Sequence, residues 1–156
     1  RIDERLIHGQ GQLWIKSLGV NLVIVANDKV STDAIQQTLM KTVIPKEVAV
    51  RFWTIDRTNE VIWKAAPHQN IFVVVKDCKD ALRLAEGGFP IEKLNVGNIH
   101  ATAGKEKVSQ FIYLGEEDKE ALRKLRDKYN VEFNTKTSPV SNDGVQTIEV
   151  LNKVLE

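Results

Sequence analysis

Short runs of β-branched and aliphatic residues alternate along this chain with longer stretches in which apolar positions recur every three or four residues. The runs Leu22–Ala26, Val48–Trp53, Ile71–Val75, Leu94–Val96, Phe111–Leu114 and Val131–Phe133 predict strands. The spacing over Gly9–Leu18, Thr32–Val43, Arg57–Ala65, Lys79–Glu86, Glu116–Tyr129 and Val145–Leu155 predicts helices. A run such as Leu-Val-Ile-Val-Ala does not alternate apolar with polar, as a strand with one wet face would; it suits a strand covered on both sides, the usual condition of parallel sheets. The fold class is therefore α/β, a single open twisted, mostly parallel sheet with helices on both faces. Ser31-Thr-Asp-Ala reads as a helix start and Gly87-Gly88 as a helix stop, while Pro45-Lys-Glu and Thr137–Gly144 read as loops.

Composition narrows the class. A chain of 156 residues that is 42% hydrophobic supports one core, so residues 1–156 are expected to form one domain. Twenty-two basic against twenty-one acidic side chains leave a formal charge of +1, which gives no overall pull toward nucleic acid or anionic lipid. Cys78 is alone, so no internal disulfide forms, and a structural or surface thiol in a reducing cytoplasm is the expectation. No apolar run reaches the roughly twenty residues that span a bilayer. A strand should lead into the first motif, so a few residues are expected upstream of Arg1.

The densest chemistry lies in Arg1-Ile-Asp-Glu-Arg-Leu-Ile-His-Gly-Gln10. A histidine at the mouth of a helix has its imidazole beside unpaired N–H groups and a dipole end that favours anions. Arg1 and Arg5 add guanidinium donors matched to phosphate oxygens. Asp3 is itself an anion; it can orient the imidazole or fix an arginine. Gly9 permits close backbone approach. These parts suit phosphoryl transfer, with Arg1, Arg5, Gly9 and Gln10 holding phosphate and His8 as nucleophile. Asp28, Asn98 and His100 should end on the same sheet edge as a rim.

This ten-residue signature resembles that of the IIB components of the mannose/fructose/sorbose family of the sugar phosphotransferase system. Asn21–Asp28, Gln36–Lys41, Val50–Thr54 and Asn95–His100 resemble family blocks in family order. Glu4 stands where the family commonly has Asp. The resemblance implies that His8 is transiently phosphorylated through Nδ1 by a IIA phosphohistidine and passes the group to a sugar held by membrane IIC/IID components. Arg5 then matches the arginine that contacts the phosphoryl group. It also implies a cytoplasmic place at the inner face of the membrane, no cofactor, and a sugar of the N-acetylgalactosamine or galactosamine type. A homo-oligomer is left open.

Other residues carry less. His8, Asp3 and His100 could form a metal triad, yet lack ligand spacing and are crowded by arginines, so no metal site is expected. His100 is a rim residue or a plain loop histidine, and His68 a solvated turn residue. Trp14, Trp53 and Trp63 read as core, and Lys105-Glu106-Lys107 as a solvent-facing loop tip. Gly97-Asn98 lacks the spacing of a nucleotide-binding loop. The competing functional classes are a non-catalytic phosphate or phosphosugar binder, which would not need His8, and a metal-dependent hydrolase.

Overall fold

The computed structural model describes residues 1–141 and 144–156. Along the chain come β1 (Ile2–Asp3), α1 (Gly9–Ser17), β2 (Leu22–Ala26), α2 (Ala34–Lys41), β3 (Ala49–Trp53), α3 (Ile55–Val61), β4 (Ile71–Val74) and α4 (Cys78–Glu86). Then follow β5 (Lys93–Asn98), β6 (Glu106–Ser109), β7 (Ile112–Leu114), α5 (Glu116–Tyr129), β8 (Glu132–Asn134) and α6 (Gly144–Val154).

The parallel triplets β3-β2-β4 and β1-β5-β8 join where β1 bonds to the end of β4: Asp3 N–H donates to Val75 O at 2.9 Å and Val75 N–H to Arg1 O at 3.0 Å. The sheet order is thus β3-β2-β4-β1-β5-β8, all parallel. Side chains of β2 divide with period two, Leu22, Ile24 and Ala26 into one apolar cluster and Val23 and Val25 into the other. Trp14 and Ile15 of α1 and Met40 of α2 cover one face; Ile55 of α3, Cys78 and Leu84 of α4 and Leu122 and Leu125 of α5 cover the other. Right-handed crossovers account for this split, because α1 and α2 carry the chain one way along the sheet and α3 and α4 carry it back. β1 and β4 are therefore neighbours whose following helices leave to opposite faces. A crevice at the carboxyl ends of such strands is where open α/β sheets bind ligands.

Several elements differ from expectation. Glu106–Ser109 is a strand, paired antiparallel with β7, where a loop tip was expected. Only Val108 of it is buried, so no apolar run marks it. Lys105 and Glu106 are not idle: they pair with Asp118 and Lys119, at 3.2 and 2.8 Å. The segment expected as a helix over 32–43 is a 3-10 turn, Val30–Thr32, followed by α2, with Asp33 as N-cap accepting from Gln36 N–H. α3 begins at Ile55 because Thr54 caps it, accepting from Arg57 N–H, and a 3-10 turn, Ile62–Lys64, ends it. Trp63, on that turn, is 66% exposed rather than core. β5 runs through Gly97 and Asn98, expected as loop, because β1 pairs with it there. Of the expected loop Thr137–Gly144, positions 142 and 143 lie outside the described residues. Cys78 is fully buried, and burial pushes its thiol well above the ordinary range.

Candidate active site

The site forms where β1 stops. Its last residue, Asp3, is 1% exposed, and the chain turns at once, with Leu6 N–H donating to Asp3 O at 2.8 Å. Leu6 adopts φ of 58°, the left-handed region that costs a non-glycine residue about 1 kcal/mol or more. Burial of Leu6 and Ile7 in the apolar cluster under α1 offsets that cost and pins the turn. His8 emerges from it as the N-cap of α1, without a side-chain cap bond to the helix.

Asp3 is the hub. Its Oδ1 accepts from Arg5 N–H at 3.0 Å and Arg5 Nε at 3.1 Å, and its Oδ2 accepts from Arg1 Nη2 at 3.1 Å and Arg5 Nη2 at 3.3 Å. The same Oδ2 lies 3.8 Å from His8 Nε2. Gln10, the second residue of α1, accepts on Oε1 from Arg5 Nη2 at 3.0 Å and Arg1 Nη2 at 3.4 Å. Two arginine donors on one amide oxygen fix its orientation, so Gln10 Nε2 points its N–H groups elsewhere.

The imidazole of His8 is 30% exposed, but its Nε2 is enclosed without a hydrogen-bond partner. That nitrogen faces Asp3. Burial first, then the Arg5 charge, pushes the imidazole below its ordinary 6.5, while Asp3 pulls the other way. At neutral pH the ring is uncharged, and a proton on Nε2 beside the carboxylate leaves the Nδ1 lone pair open. A Cβ on Gly9 would meet nothing within 4 Å, so the space over the first turn of α1 is clear beside the histidine.

Arg1 corrects the expectation of a second phosphate ligand. Its side chain is 2% exposed, and its guanidinium is spent on Asp3, Gln10 and Asn95 Oδ1 while lying 5.4 Å from the centre of the Trp14 ring. It braces the site from beneath, and Arg5, 33% exposed, is the guanidinium at the surface. Asn95 is held in turn by Asn134 Oδ1 and Lys136 O, at 2.6 and 2.9 Å. Gly97 makes the room, since a Cβ there would overlap the Arg1 guanidinium. Asn95, Gly97 and Trp14 are the supporting residues that sequence reasoning missed. The signal was present for one of them, an asparagine inside a run that otherwise reads as buried strand.

Of the expected rim, Asn98 and His100 join the site and Asp28 does not. Asn98 is buried, opposite Asp3 in the sheet, its O accepting from Glu4 N–H at 3.0 Å and its Oδ1 unpaired. His100 Nδ1 lies 3.0 Å from Glu4 Oε2. Asp28 instead accepts from Ile55 N–H and Arg83, at 2.9 and 2.8 Å, which hold its carboxyl below the usual range. Among the described residues no group of His, Cys, Asp and Glu could hold a metal ion, and no helix is long and apolar enough to cross a membrane.

Comparison with known proteins gives consistent results. The family model described as PTS system sorbose subfamily IIB component matches residues 1–154. The N-acetylgalactosamine-specific phosphotransferase enzyme IIB component 2 of Escherichia coli is 44% identical over 127 residues, 81% of either chain. Among solved structures, an N-acetyl-galactosamine IIB component from Streptococcus pyogenes superposes with a TM-score of 0.91 at 56% identity, covering 96% of this chain and 93% of that one. The IIB domain of the sorbose permease from Klebsiella pneumoniae gives 0.85 at 27% identity, covering 98% and 94%.

Proposed function

Because this chain belongs to the sorbose subfamily of IIB components of the sugar phosphotransferase system, we propose that His8 is the residue through which it carries phosphate. The observation that supports this most is the state of the imidazole: neutral, part-exposed, with Nε2 turned onto Asp3 and Nδ1 free beside the open amino end of α1.

The donor is a phosphohistidine on a IIA protein or domain. His8 Nδ1 attacks phosphorus in line, a new N–P bond forms as the donor's N–P bond breaks, and the donor nitrogen keeps that electron pair. The proton on Nε2 stays, now facing Asp3 from a ring whose phosphoryl group draws electrons. Arg5, oriented by Asp3 and Gln10, and the first N–H groups of α1 spread the charge of the equatorial oxygens. In the second step a sugar hydroxyl, presented by membrane IIC/IID components, attacks the same phosphorus, its proton passes to solvent, and the N–P electrons return to the imidazole, which is again neutral with its proton on Nε2. The protein works at the cytoplasmic face of the membrane. Relatives specific for N-acetylgalactosamine make an amino sugar of that type the proposed cargo.

The test is transfer from a labelled phospho-IIA protein followed by mapping of the modified residue. Label on His8, acid-labile and base-stable as a phosphoramidate is, and none in a folded His8→Gln variant are the expected results. Phosphate on His68, His100 or a hydroxyl residue of the wild type would overturn the assignment.

A further inference from the structure

The turn that carries Arg5 also carries an anion, Glu4, the neighbouring residue. An unpaired carboxylate there would lie within about a Debye length of the Arg5 guanidinium at 0.1 M salt, where it would compete for Arg5 and repel an incoming phosphoryl group. The structure shows that carboxylate drawn away. Its Oε2 is 3.0 Å from His100 Nδ1, and its Oε1 is 3.9 Å from Lys105 Nζ, which also pairs with Asp118 at 3.2 Å. Asp118 is anchored by the Gly115 N–H at 2.9 Å, at the start of α5. The Glu4 main chain is tied to the same side, its N–H donating to Asn98 O. The carboxylate is thus turned toward the β5–β6 connection and engaged there, with Arg5 left to Asp3 and Gln10.

We infer that His100, with Lys105 behind it, acts as a positioning residue that sequesters the Glu4 carboxylate and so keeps Arg5 and the space over His8 open to phosphate. The inference rests on the phosphocarrier reading above. It gives Lys105, on the face of it a surface charge, a definite task, and it separates His100 from the nucleophile: His100 acts through Glu4 and does not touch phosphorus.

The test is a double-mutant cycle on the full chain, with a phospho-IIA protein at subsaturating concentration and the second-order rate of His8 labelling as readout. His100→Gln should slow labelling by about fivefold at low salt, as expected of a carboxylate released from its contact and free to turn toward the entry of a phosphate site. The combined Glu4→Gln and His100→Gln variant should regain the wild-type rate. The ratio of wild type to His100→Gln should fall toward one at roughly 1 M salt, where the Debye length is about 3 Å. A purely structural role for His100 would give a ratio indifferent to salt and a defect that persists beside Glu4→Gln. Either result overturns the inference, as does an unslowed His100→Gln protein, and in all three cases labelling of the wild type still upholds the phosphocarrier reading. A wild-type chain that takes no label overturns that reading and this inference together.

Discussion

At the scale of single residues, the site is a division of labour around one buried carboxylate. Asp3 is shared by two arginines and faces the imidazole, so its charge is matched and its geometry fixed. Arg5 meets it through Nε and Nη2, a planar fork that lysine cannot reproduce. Arg5→Lys should slow single-turnover transfer to His8 by at least about tenfold, on the order of 1.4 kcal/mol, although the charge is kept. The imidazole makes a second prediction. Its depressed value means that the reactive neutral form persists below pH 6.5, so the transfer rate should hold level through that point and fall only as the pH drops through the lowered value. Arg5→Gln removes a cation that opposes protonation, and its acid limb should move to higher pH even though the rate itself is lower. The same sign applies to stability. Near pH 6.5 the unfolded chain binds a proton that folded His8 refuses, so stability should fall as pH drops through that window, and denaturant titrations of His8→Gln should lack this component.

At the scale of elements, the site depends on how β1, β5 and α1 enclose the Arg1 guanidinium. Gly97 lies inside β5, where glycine normally weakens a strand. Here it admits the guanidinium between the strand and Trp14, whose indole Nε1 is itself fixed by donating to Thr137 O at 3.1 Å. A Gly97→Ala side chain would displace a buried group that holds Asp3, Gln10 and Asn95 together. Chemical denaturation should show a loss of about 1–3 kcal/mol, the usual cost of overpacking. Labelling of His8 should slow as well, because Asp3 and Gln10 also orient Arg5. Full stability together with slowed transfer would mean that Arg1 relocates without strain.

At the scale of the whole molecule, the sheet sets His8 at its carboxyl edge, beside the strand pair from which helices leave to opposite faces, and leaves it part-exposed there, as the proposed transfer from a protein donor requires. With Arg1 buried, Arg5 and the start of α1 are the positive features offered there, on a chain of near-zero net charge. Donor-dependent transfer at subsaturating phospho-IIA should slow by about two- to threefold when salt rises from roughly 0.05 to 0.5 M, a modest slope suited to one exposed guanidinium. A steeper slope would require further cations on this face. Much of this architecture was legible in the chain: Leu22–Ala26 and Ile71–Val75 are apolar without alternation because both sheet faces are covered, and Glu116–Tyr129 has helical spacing that the structure reproduces to the residue. That His8, Arg5 and Asp3 lie together was legible because they are neighbours in sequence, and local spacing reports local geometry. β6 was not, since Glu106–Ser109 becomes a strand only by pairing with β7. Nor was the burial of Arg1, decided by Asn95, Gly97 and Trp14 from elements far apart in the chain, or the capture of Glu4 by His100 and Lys105. Periodicity and neighbouring residues are properties of the sequence alone; which charge is buried, and which anion is drawn aside, depends on partners that only the folded chain brings within a few ångströms.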